Sequence, residues 1–245
     1  MRRRFFIDKF VGNTAGMRGE TADHLGRVLR AEVGQLYELS DGSSIWLARV
    51  TNVKLAKGTK SAIDFELVGE IPAPEVGLRL RAMISIVKFD RFEWCLEKAT
   101  ELGVGEITPL AAAWSDKPLI GAAAKRHERW EKIVLEAAQQ SRQMRAPVLR
   151  AAIRPAEAFG EAKTGLKILL SERADARPIR EILQGVQPRD AVLAFGPEGG
   201  WTDDEIMLAR MAGFTEASLG ENIFRTETAV IAALAIVRFT LEPKT

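Results

Sequence analysis

The sequence predicts an α/β protein with a parallel sheet, preceded by a small β-rich domain. From residue 76 onward, strand and helix patterns alternate, which is typical of a parallel sheet with helices on both faces. The first seventy residues instead hold several short strand patterns, which favour a small β-barrel. Pro72 and Pro74 separate the two parts, because proline cannot donate to a sheet ladder. We therefore expect domains at 1–72 and 76–245.

The β-rich domain begins with a predicted strand at 4–7 and a brief helix at 21–30, for which Thr21 is a suitable N-cap. Three further strand runs lie at 36–39, 45–48 and 63–67. The first two of these flank a turn at 40–43, which is the pattern of a β-hairpin.

The second domain has five apolar runs that predict buried strands, at 83–87, 107–110, 166–170, 191–195 and 217–219. Its main helices are predicted to begin after Asp90, at 122, after Thr202 and at 228. Two of these helix starts carry the pattern of a capping box, Asp90 with Glu93 and Thr202 with Glu205. The helix from 122 has to stop near 143, before Pro147.

Composition restricts the class of protein. The charged fraction of 28% and the net charge of +2 are those of an ordinary globular protein. The single cysteine, Cys95, excludes a disulfide within the chain, and its helical context indicates a packing residue. The longest apolar run, 229–237, is far shorter than the roughly 20 residues that span a bilayer. With two histidines, His24 and His127, the sequence predicts no metal site, and we expect a soluble, cytoplasmic protein.

Basic side chains are concentrated in two segments. Residues 1–30 hold seven basic and three acidic residues, and residues 139–154 hold four arginines and no acidic residue. Such patches can neutralise phosphates and bind RNA; the alternative is a set of solvated arginines on a helix end and a loop. The candidate RNA contacts are Arg3, Arg4, Arg27, Arg30, Arg91, Arg142 and Arg145.

The segment 195–202 joins a buried strand to a capped helix, where open α/β sheets bind ligands. Gly196, Gly199 and Gly200 allow the backbone to approach a ligand closely, and Pro197 stiffens the loop. The loop lacks the lysine of a phosphate-binding P-loop, and no dinucleotide-binding glycine pattern follows a strand elsewhere. A tight turn with no ligand is the alternative.

A second segment, 219–229, leads from the last strand into the last helix. Ile223 and Phe224 form an apolar pair that can close over a flat adenine ring, while Arg225 and Glu227 place a cation and a carboxylate at the helix start. Alternatively, Glu227 only complements the helix dipole and Arg225 is its surface partner.

Together these segments resemble the RsmE family, the bacterial 16S ribosomal RNA uracil-N3 methyltransferases of the SPOUT superfamily. The matching residues are Phe195-Gly196-Pro197-Glu198-Gly199-Gly200-Trp201, Leu219-Gly220 and Ile223-Phe224-Arg225-Thr226-Glu227-Thr228-Ala229. Shorter matches lie at 24–34, 91–94, 101–104, 107–110, 140–147 and 170–173, so the resemblance covers nearly the whole chain.

The resemblance implies a PUA-like β-barrel that binds RNA, joined to a SPOUT-type parallel sheet with a C-terminal trefoil knot. It also implies S-adenosylmethionine as cofactor, a homodimer, and methylation of N3 of U1498 in the 16S RNA of the 30S subunit. The expected cofactor contacts are Leu170, Phe195, Gly196, Pro197, Glu198, Gly199, Gly200, Leu219, Gly220, Ile223, Phe224 and Thr228. As catalytic residues, Arg225 would stabilise charge on the uracil oxygens, and Glu227 would accept the N3 proton or hold Arg225.

Two positions depart from the family pattern. This chain reads Ala111-Ala112-Ala113-Trp114-Ser115 where the family often has a Glu-Arg pair, and Asn222 stands where a basic residue is common. An RNA contact by that arginine therefore does not carry over to this chain.

Three other functions compete with this interpretation: a SPOUT enzyme that methylates ribose 2′-O, a non-catalytic RNA-binding factor in ribosome assembly, and an enzyme acting on a small nucleotide. An enzyme acting on a small nucleotide would not explain the basic N-terminal domain. A serine hydrolase is excluded, since the chain lacks the Gly-x-Ser-x-Gly elbow.

Overall fold

The computed structural model describes residues 3–56, 60–74, 77–163 and 165–242. These residues form two compact units. The first unit holds the described residues up to 74 together with 138–146, and the second holds the described residues of 77–137 and 147–242. The predicted boundary lies beside this division, and its residues 75 and 76 are outside the described residues.

The first unit is built on a six-stranded sheet with the strand order β1-β4-β5-β6-β3-β2. Its strands are β1 (Arg4–Phe6), β2 (Phe10–Val11), β3 (Thr14–Arg18), β4 (Leu36–Ser40), β5 (Ile45–Lys54) and β6 (Ala62–Ile71). Only β1 and β4 pair in parallel; the other neighbours are antiparallel. The predicted hairpin is confirmed, because Ser40 of β4 pairs with Ile45 of β5.

Alternation along the long strands builds the core of the first unit. Side chains two residues apart on a strand share a face, and in β6 the buried positions are Ile63, Phe65 and Leu67. A short helix, α1 (Glu20–Asp23), continues through a π-helical turn at His24–Val28 and buries Leu25 against this core. The prediction that Thr21 is the N-cap of this helix is wrong. The helix begins at Glu20, and its N-cap residue is Gly19.

A buried ion pair connects the segment 138–146 to the rest of the first unit. Arg4 and Glu38 are 7% and 3% exposed, and Arg4 Nη2 lies 2.9 Å from Glu38 Oε2. Arg142 pairs with the other oxygen of Glu38, and its carbonyl accepts a hydrogen bond from Arg4 Nη1. Ser40 Oγ donates to the carbonyl of Met144 at 2.6 Å. The first compact unit therefore includes 138–146, a segment that the sequence places in the second predicted domain.

The second unit contains a seven-stranded parallel sheet with the order β11-β13-β10-β12-β7-β8-β9. Its strands are β7 (Arg79–Ser85), β8 (Val104–Leu110), β9 (Val148–Leu149), β10 (Leu166–Leu170), β11 (Arg177–Pro178), β12 (Asp190–Phe195) and β13 (Thr215–Ser218). The helices are α2 (Phe89–Glu101), α3 (Lys117–Gln140), α4 (Pro155–Glu161), α5 (Ile179–Leu183), α6 (Asp203–Met211) and α7 (Thr226–Leu241). The predicted α/β alternation with a parallel sheet is confirmed.

One of the two predicted capping boxes is present. Thr202 Oγ1 accepts from the backbone N–H of Glu205 at 3.2 Å, and Glu205 Oε2 accepts from the backbone N–H of Thr202 at 2.9 Å. The box predicted at Asp90 is wrong, because α2 begins at Phe89 and Lys88 is its N-cap. In the described ranges, no helix is both long and apolar enough to cross a membrane.

We expect Glu38→Gln to lower the free energy of unfolding by about 3 kcal/mol, because it leaves the buried Arg4 guanidinium without a counter-charge. Burial already lowers the pKa of Arg4, as does the nearby charge of Arg142. Urea unfolding followed by circular dichroism measures the effect. Glu66→Gln is the control, because Glu66 forms a half-exposed ion pair with Arg49, and its loss should cost less than about 1 kcal/mol. Equal losses in the two variants would contradict a structural role for Glu38.

Candidate functional site

A concavity of the second unit lies at the carboxyl ends of three adjacent strands. Leu170 at the end of β10 pairs with Phe195 at the end of β12 and with Ala217 of β13. The loops that follow these strands and the start of α7 enclose a cavity of about 450 Å³. Open α/β sheets bind ligands in this position, and the volume lies within the range of small-molecule sites.

The loop 196–200, which we call the glycine loop, is stabilised by one hydrogen bond from α7 and one within the loop. Thr226 Oγ1 donates to the carbonyl of Gly196 at 3.1 Å, and the backbone N–H of Gly200 donates to the carbonyl of Pro197 at 2.9 Å. Gly200 has a φ of +71°, a conformation that favours glycine. A Cβ on Gly196 would lie 3.1 Å from the indole nitrogen of Trp201. The glycines therefore serve the tight turn and also keep this wall of the cavity open.

The 219–225 loop forms the opposite wall. Gly220 has a φ of +134°, and Ile223 and Phe224 line the cavity with their side chains 76% and 39% exposed. Large apolar side chains that stay exposed at a cavity mark a ligand surface more often than a packing defect. This placement agrees with the prediction that the pair covers a flat, apolar ligand group.

Charged side chains meet at the start of α7. Arg225 is the N-cap residue, lines the cavity, and has no ion-pair partner among the residues that the structure describes. Glu227, in the first turn, is only 6% exposed, and its Oε1 lies 3.7 Å from Arg91 Nε. Arg91 also pairs with Glu198 of the glycine loop. Glu227 therefore has Arg91 as its partner, and the alternative of a surface pair with Arg225 is wrong.

The second oxygen of Glu227 is buried and has no hydrogen-bond partner within the described part of the chain. A buried acceptor left without a donor costs about 1–3 kcal/mol, so such groups in native sites commonly meet a ligand or water. This oxygen lies in the first turn of the helix that carries Arg225, Thr226 and Ala229 to the cavity wall.

The structure brings nearly all the predicted cofactor residues together. Leu170, the glycine loop with Phe195, and the predicted residues of the 219–225 loop all line the cavity. Thr228 does not; it is exposed on the first turn of α7. The lining residues that were not predicted as cofactor contacts include Ser171, Glu172, Arg173, Trp201, Ile206, Ala217, Thr226 and Ala229. Ser171, Glu172 and Arg173 directly follow the predicted strand 166–170, and this position at the end of a parallel strand could have indicated that they line the site.

The arginines predicted to contact RNA have different environments. Arg3, Arg30 and Arg145 are exposed and have no ion-pair partner in the described ranges of the chain. Arg27 pairs with Asp23 at 2.6 Å and donates to the carbonyl of Ala56. The remaining ones are Arg4 and Arg142, both bound to Glu38, and Arg91, which belongs to the cavity wall. An RNA contact stays a prediction for each of them, and the first three are the most available.

Cys95 of α2 is fully buried, as predicted for a packing residue. Burial raises the pKa of its thiol to about 12, and the negative charge of Glu227 contributes. The thiolate is the reactive form of cysteine, so this side chain is unsuited to nucleophilic chemistry.

The cavity fits a ligand with a flat apolar group and several polar atoms. Its walls combine apolar side chains with loops whose backbone N–H and C=O groups can recognise a base edge. Arg225 adds a donor to the lining, whereas the predicted catalytic residue Glu227 is buried and does not line the cavity. An S-adenosylmethionine molecule, as expected from the sequence, has groups of each of these kinds. In the described residues, no cluster of three His, Cys, Asp or Glu side chains could hold a metal.

Comparison with known proteins gives a consistent result. Residues 74–238 match a protein-family model described as an RNA methyltransferase domain. A ribosomal RNA small subunit methyltransferase E from Synechocystis sp. is 36% identical over 96% of this chain and 76% of its own length. The protein of the same name from Rickettsia conorii is 30% identical over 86% of this chain and 83% of its own.

Solved structures match along the whole chain. The crystal structure of a ribosomal RNA small subunit methyltransferase E from Neisseria gonorrhoeae bound to S-adenosylmethionine has a TM-score of 0.86 and 30% identity, and covers 100% of both chains. A methyltransferase from Legionella pneumophila in complex with the same cofactor has a TM-score of 0.85 and 29% identity over 100% of both chains.

We expect the native protein to resist thiol-labelling reagents at about pH 8, because Cys95 is buried and its raised pKa keeps it protonated. Raising the pH towards about 10 should accelerate labelling of the urea-unfolded chain and leave the native protein slow. Mass spectrometry measures the number of labels per chain. The urea-unfolded chain is the control and should carry one label, since Cys95 is the single cysteine. Fast stoichiometric labelling of the folded protein would contradict the assignment.

Proposed function

Because the chain belongs to the family of the ribosomal RNA small subunit methyltransferase E proteins (RsmE), we propose that it is an S-adenosylmethionine-dependent methyltransferase of 16S ribosomal RNA. Within that activity, we propose N3 of a uridine as the methylated atom, the counterpart of U1498 in the 30S subunit. The observation that carries this proposal is the cavity at the carboxyl ends of β10, β12 and β13, with Arg225 in its lining.

The cofactor would be held by Leu170, the glycine loop and the 219–225 loop, all of which line the cavity. When bound, S-adenosylmethionine supplies a sulfonium methyl group that a deprotonated uracil N3 can accept as the sulfur–carbon bond breaks. Ile223 and Phe224 would cover the adenine ring and exclude water from it. The chain must then orient the uracil, stabilise the charge on its oxygens and remove its N3 proton.

Arg225 would stabilise the negative charge that develops on the uracil oxygens. Its guanidinium has no partner among the described side chains, so it is available to a substrate without first breaking an ion pair. It also stands at the N-terminus of α7, whose backbone dipole favours negative charge at that position. A preorganised cation directed at developing charge is usually the largest single contribution to such catalysis.

Glu227 would accept the N3 proton on its free oxygen, Oε2. Arg91 contacts the other oxygen, Oε1, and therefore orients the carboxylate, whereas Oε2 is buried and Glu227 lies outside the cavity lining. The pairing with Arg91 argues against the alternative role, in which Glu227 only holds Arg225, while proton acceptance requires the buried carboxylate to become accessible to the uracil. Arg91 is then a positioning residue that also restrains Glu198 of the glycine loop.

For the first unit, we propose RNA binding through Arg3, Arg30 and Arg145, whose exposed guanidinium groups can contact phosphates. We also propose closure of its curled sheet into a PUA-like barrel, a trefoil knot in the second unit, a homodimer, and a cytoplasmic location. These are the features that the resemblance to the RsmE family implies.

The proposed function is tested by methyl transfer from labelled S-adenosylmethionine to 30S subunits from a strain that lacks the enzyme. Nucleoside mass spectrometry should find 3-methyluridine in the 16S RNA, and 30S subunits from the unmodified parent strain, already methylated, are the control. A 2′-O-methylated nucleoside would overturn the proposed target atom. If neither transfer nor cofactor binding by calorimetry is observed, the enzymatic proposal is wrong.

We expect Arg225→Ala to reduce kcat by about 100-fold or more, because it removes the cation directed at the developing charge. The affinity for S-adenosylmethionine, measured by calorimetry, should change by less than about threefold, since the cofactor contacts are assigned to other residues. Arg79→Ala is the matched control: Arg79 is exposed, pairs with Asp190 and begins β7, at the end of the sheet away from the cavity. Equal losses of kcat and cofactor affinity would rule out this catalytic role.

A further inference from the structure

Trp114 is an exposed aromatic residue beside the cavity that the proposed function does not use. It follows β8 in the turn 111–115, at the same edge of the parallel sheet as the cavity loops, and its side chain is 63% exposed. Tryptophan usually buries most of its surface, which is its main contribution to stability. An indole left in solvent at the edge of a site is therefore available for contact with a ligand.

The turn that carries Trp114 is held in one conformation. The backbone N–H of Ala111 donates to the carbonyl of Ile153 at 2.8 Å, and the backbone N–H of Ser115 donates to the carbonyl of Ala112 at 3.0 Å. Between them, the N–H of Ala113 donates to Glu205 Oε1 at 2.9 Å. Since Glu205 also caps α6, the turn is attached to the same helix start that supports the glycine loop. The backbone that carries the indole is therefore fixed before any partner arrives.

Trp114 packs directly on the glycine loop. A Cβ built on Gly199 would lie 3.0 Å from Trp114 Cβ and 3.3 Å from its Cγ, so Gly199 has room for no side chain without displacing the tryptophan. Gly199 lines the cavity, whereas Trp114 lies outside the lining. The indole thus stands at the rim, next to the cavity and not within it. Lys117, three residues further on, is exposed at the start of α3 and carries a positive charge.

We propose that Trp114 is a stacking platform for an unpaired nucleobase of the RNA substrate, adjacent to the nucleotide that enters the cavity. This inference rests on the proposed function. A base that leaves its stack to be modified also leaves its neighbours without a stacking partner. A fixed, exposed indole can replace that partner, and stacking of a base on an aromatic side chain contributes about 1–3 kcal/mol. Lys117 can contact the phosphate of the same nucleotide.

The occupant is a nucleobase because a single flat aromatic face beside a cation matches a nucleotide. A protein interface would require a larger contiguous apolar area. A second copy of this chain is the other possible occupant, and the test distinguishes the two.

The experiment uses the full-length variants Trp114→Ala and Trp114→Phe with 30S subunits as substrate. We expect Trp114→Ala to raise the KM for the 30S subunit about tenfold, the loss of one stacked base. Trp114→Phe should recover most of this loss, because a phenyl ring still stacks. Calorimetric affinity for S-adenosylmethionine should be unchanged in both variants, which shows that the glycine loop is intact. Trp94→Ala, at a half-exposed tryptophan of α2, is the matched control and should leave the KM unchanged.

A direct signal comes from tryptophan fluorescence. Titration of the wild-type protein with a single-stranded RNA oligonucleotide should quench emission through base stacking, and Trp114→Phe should remove most of that quenching. The other four tryptophans remain in the variant, so the difference isolates Trp114.

An unchanged KM in Trp114→Ala together with full quenching in Trp114→Phe would overturn this proposal. A change of self-association by analytical ultracentrifugation, without a change in RNA affinity, would overturn it in favour of a second copy of the chain. Failure of the proposed function is distinguishable from both, because the wild-type enzyme would then yield no methylated nucleoside.

Discussion

The register between three parallel strands is the constraint on which the candidate site depends. Leu170 pairs with both Phe195 and Ala217, so β10, β12 and β13 end at one level and their loops open on the same side. The carboxyl ends of β10 and β12 are buried on both faces, so a slip of one residue would exchange the side chains that pack on the two sides of the sheet. The buried residues of β12 hold this register against the core, and the cavity follows from it.

Electrostatics then arranges the loops around that cavity. Arg91, from the first turn of α2, contacts Glu227 at the start of α7 and Glu198 in the glycine loop. One cation thus restrains two walls and orients a buried carboxylate. Arg225, two residues before Glu227, has no partner in the described structure and remains available to a substrate. Trp114 adds an apolar face at the rim, packed on Gly199. The site therefore combines fixed groups with a free cation, as a reaction that develops negative charge requires.

The first unit shows why charge counts do not identify binding residues by themselves. Arg4 and Arg142 contribute to the basic patches of the sequence, yet both are bound to the buried Glu38. Their contact joins positions more than a hundred residues apart and attaches 138–146 to this unit. Arg3 and Arg145 are close to them in sequence and remain exposed. Burial of one carboxylate thus separates arginines with a structural role from those that are free to meet phosphate.

The sequence by itself determined the features that depend on neighbours along the chain. These are the α/β alternation, the hairpin of β4 and β5, the capping box at Thr202, and the two loops of the cavity, which are contiguous segments after predicted strands. Tertiary structure alone decided which residues far apart in sequence come into contact: Arg91 with Glu227, and Trp114 with Gly199. Local patterns report periodicity and turn chemistry, but not which charges become buried together. That outcome requires the packed sheet, which sets the distance between residues far apart in sequence.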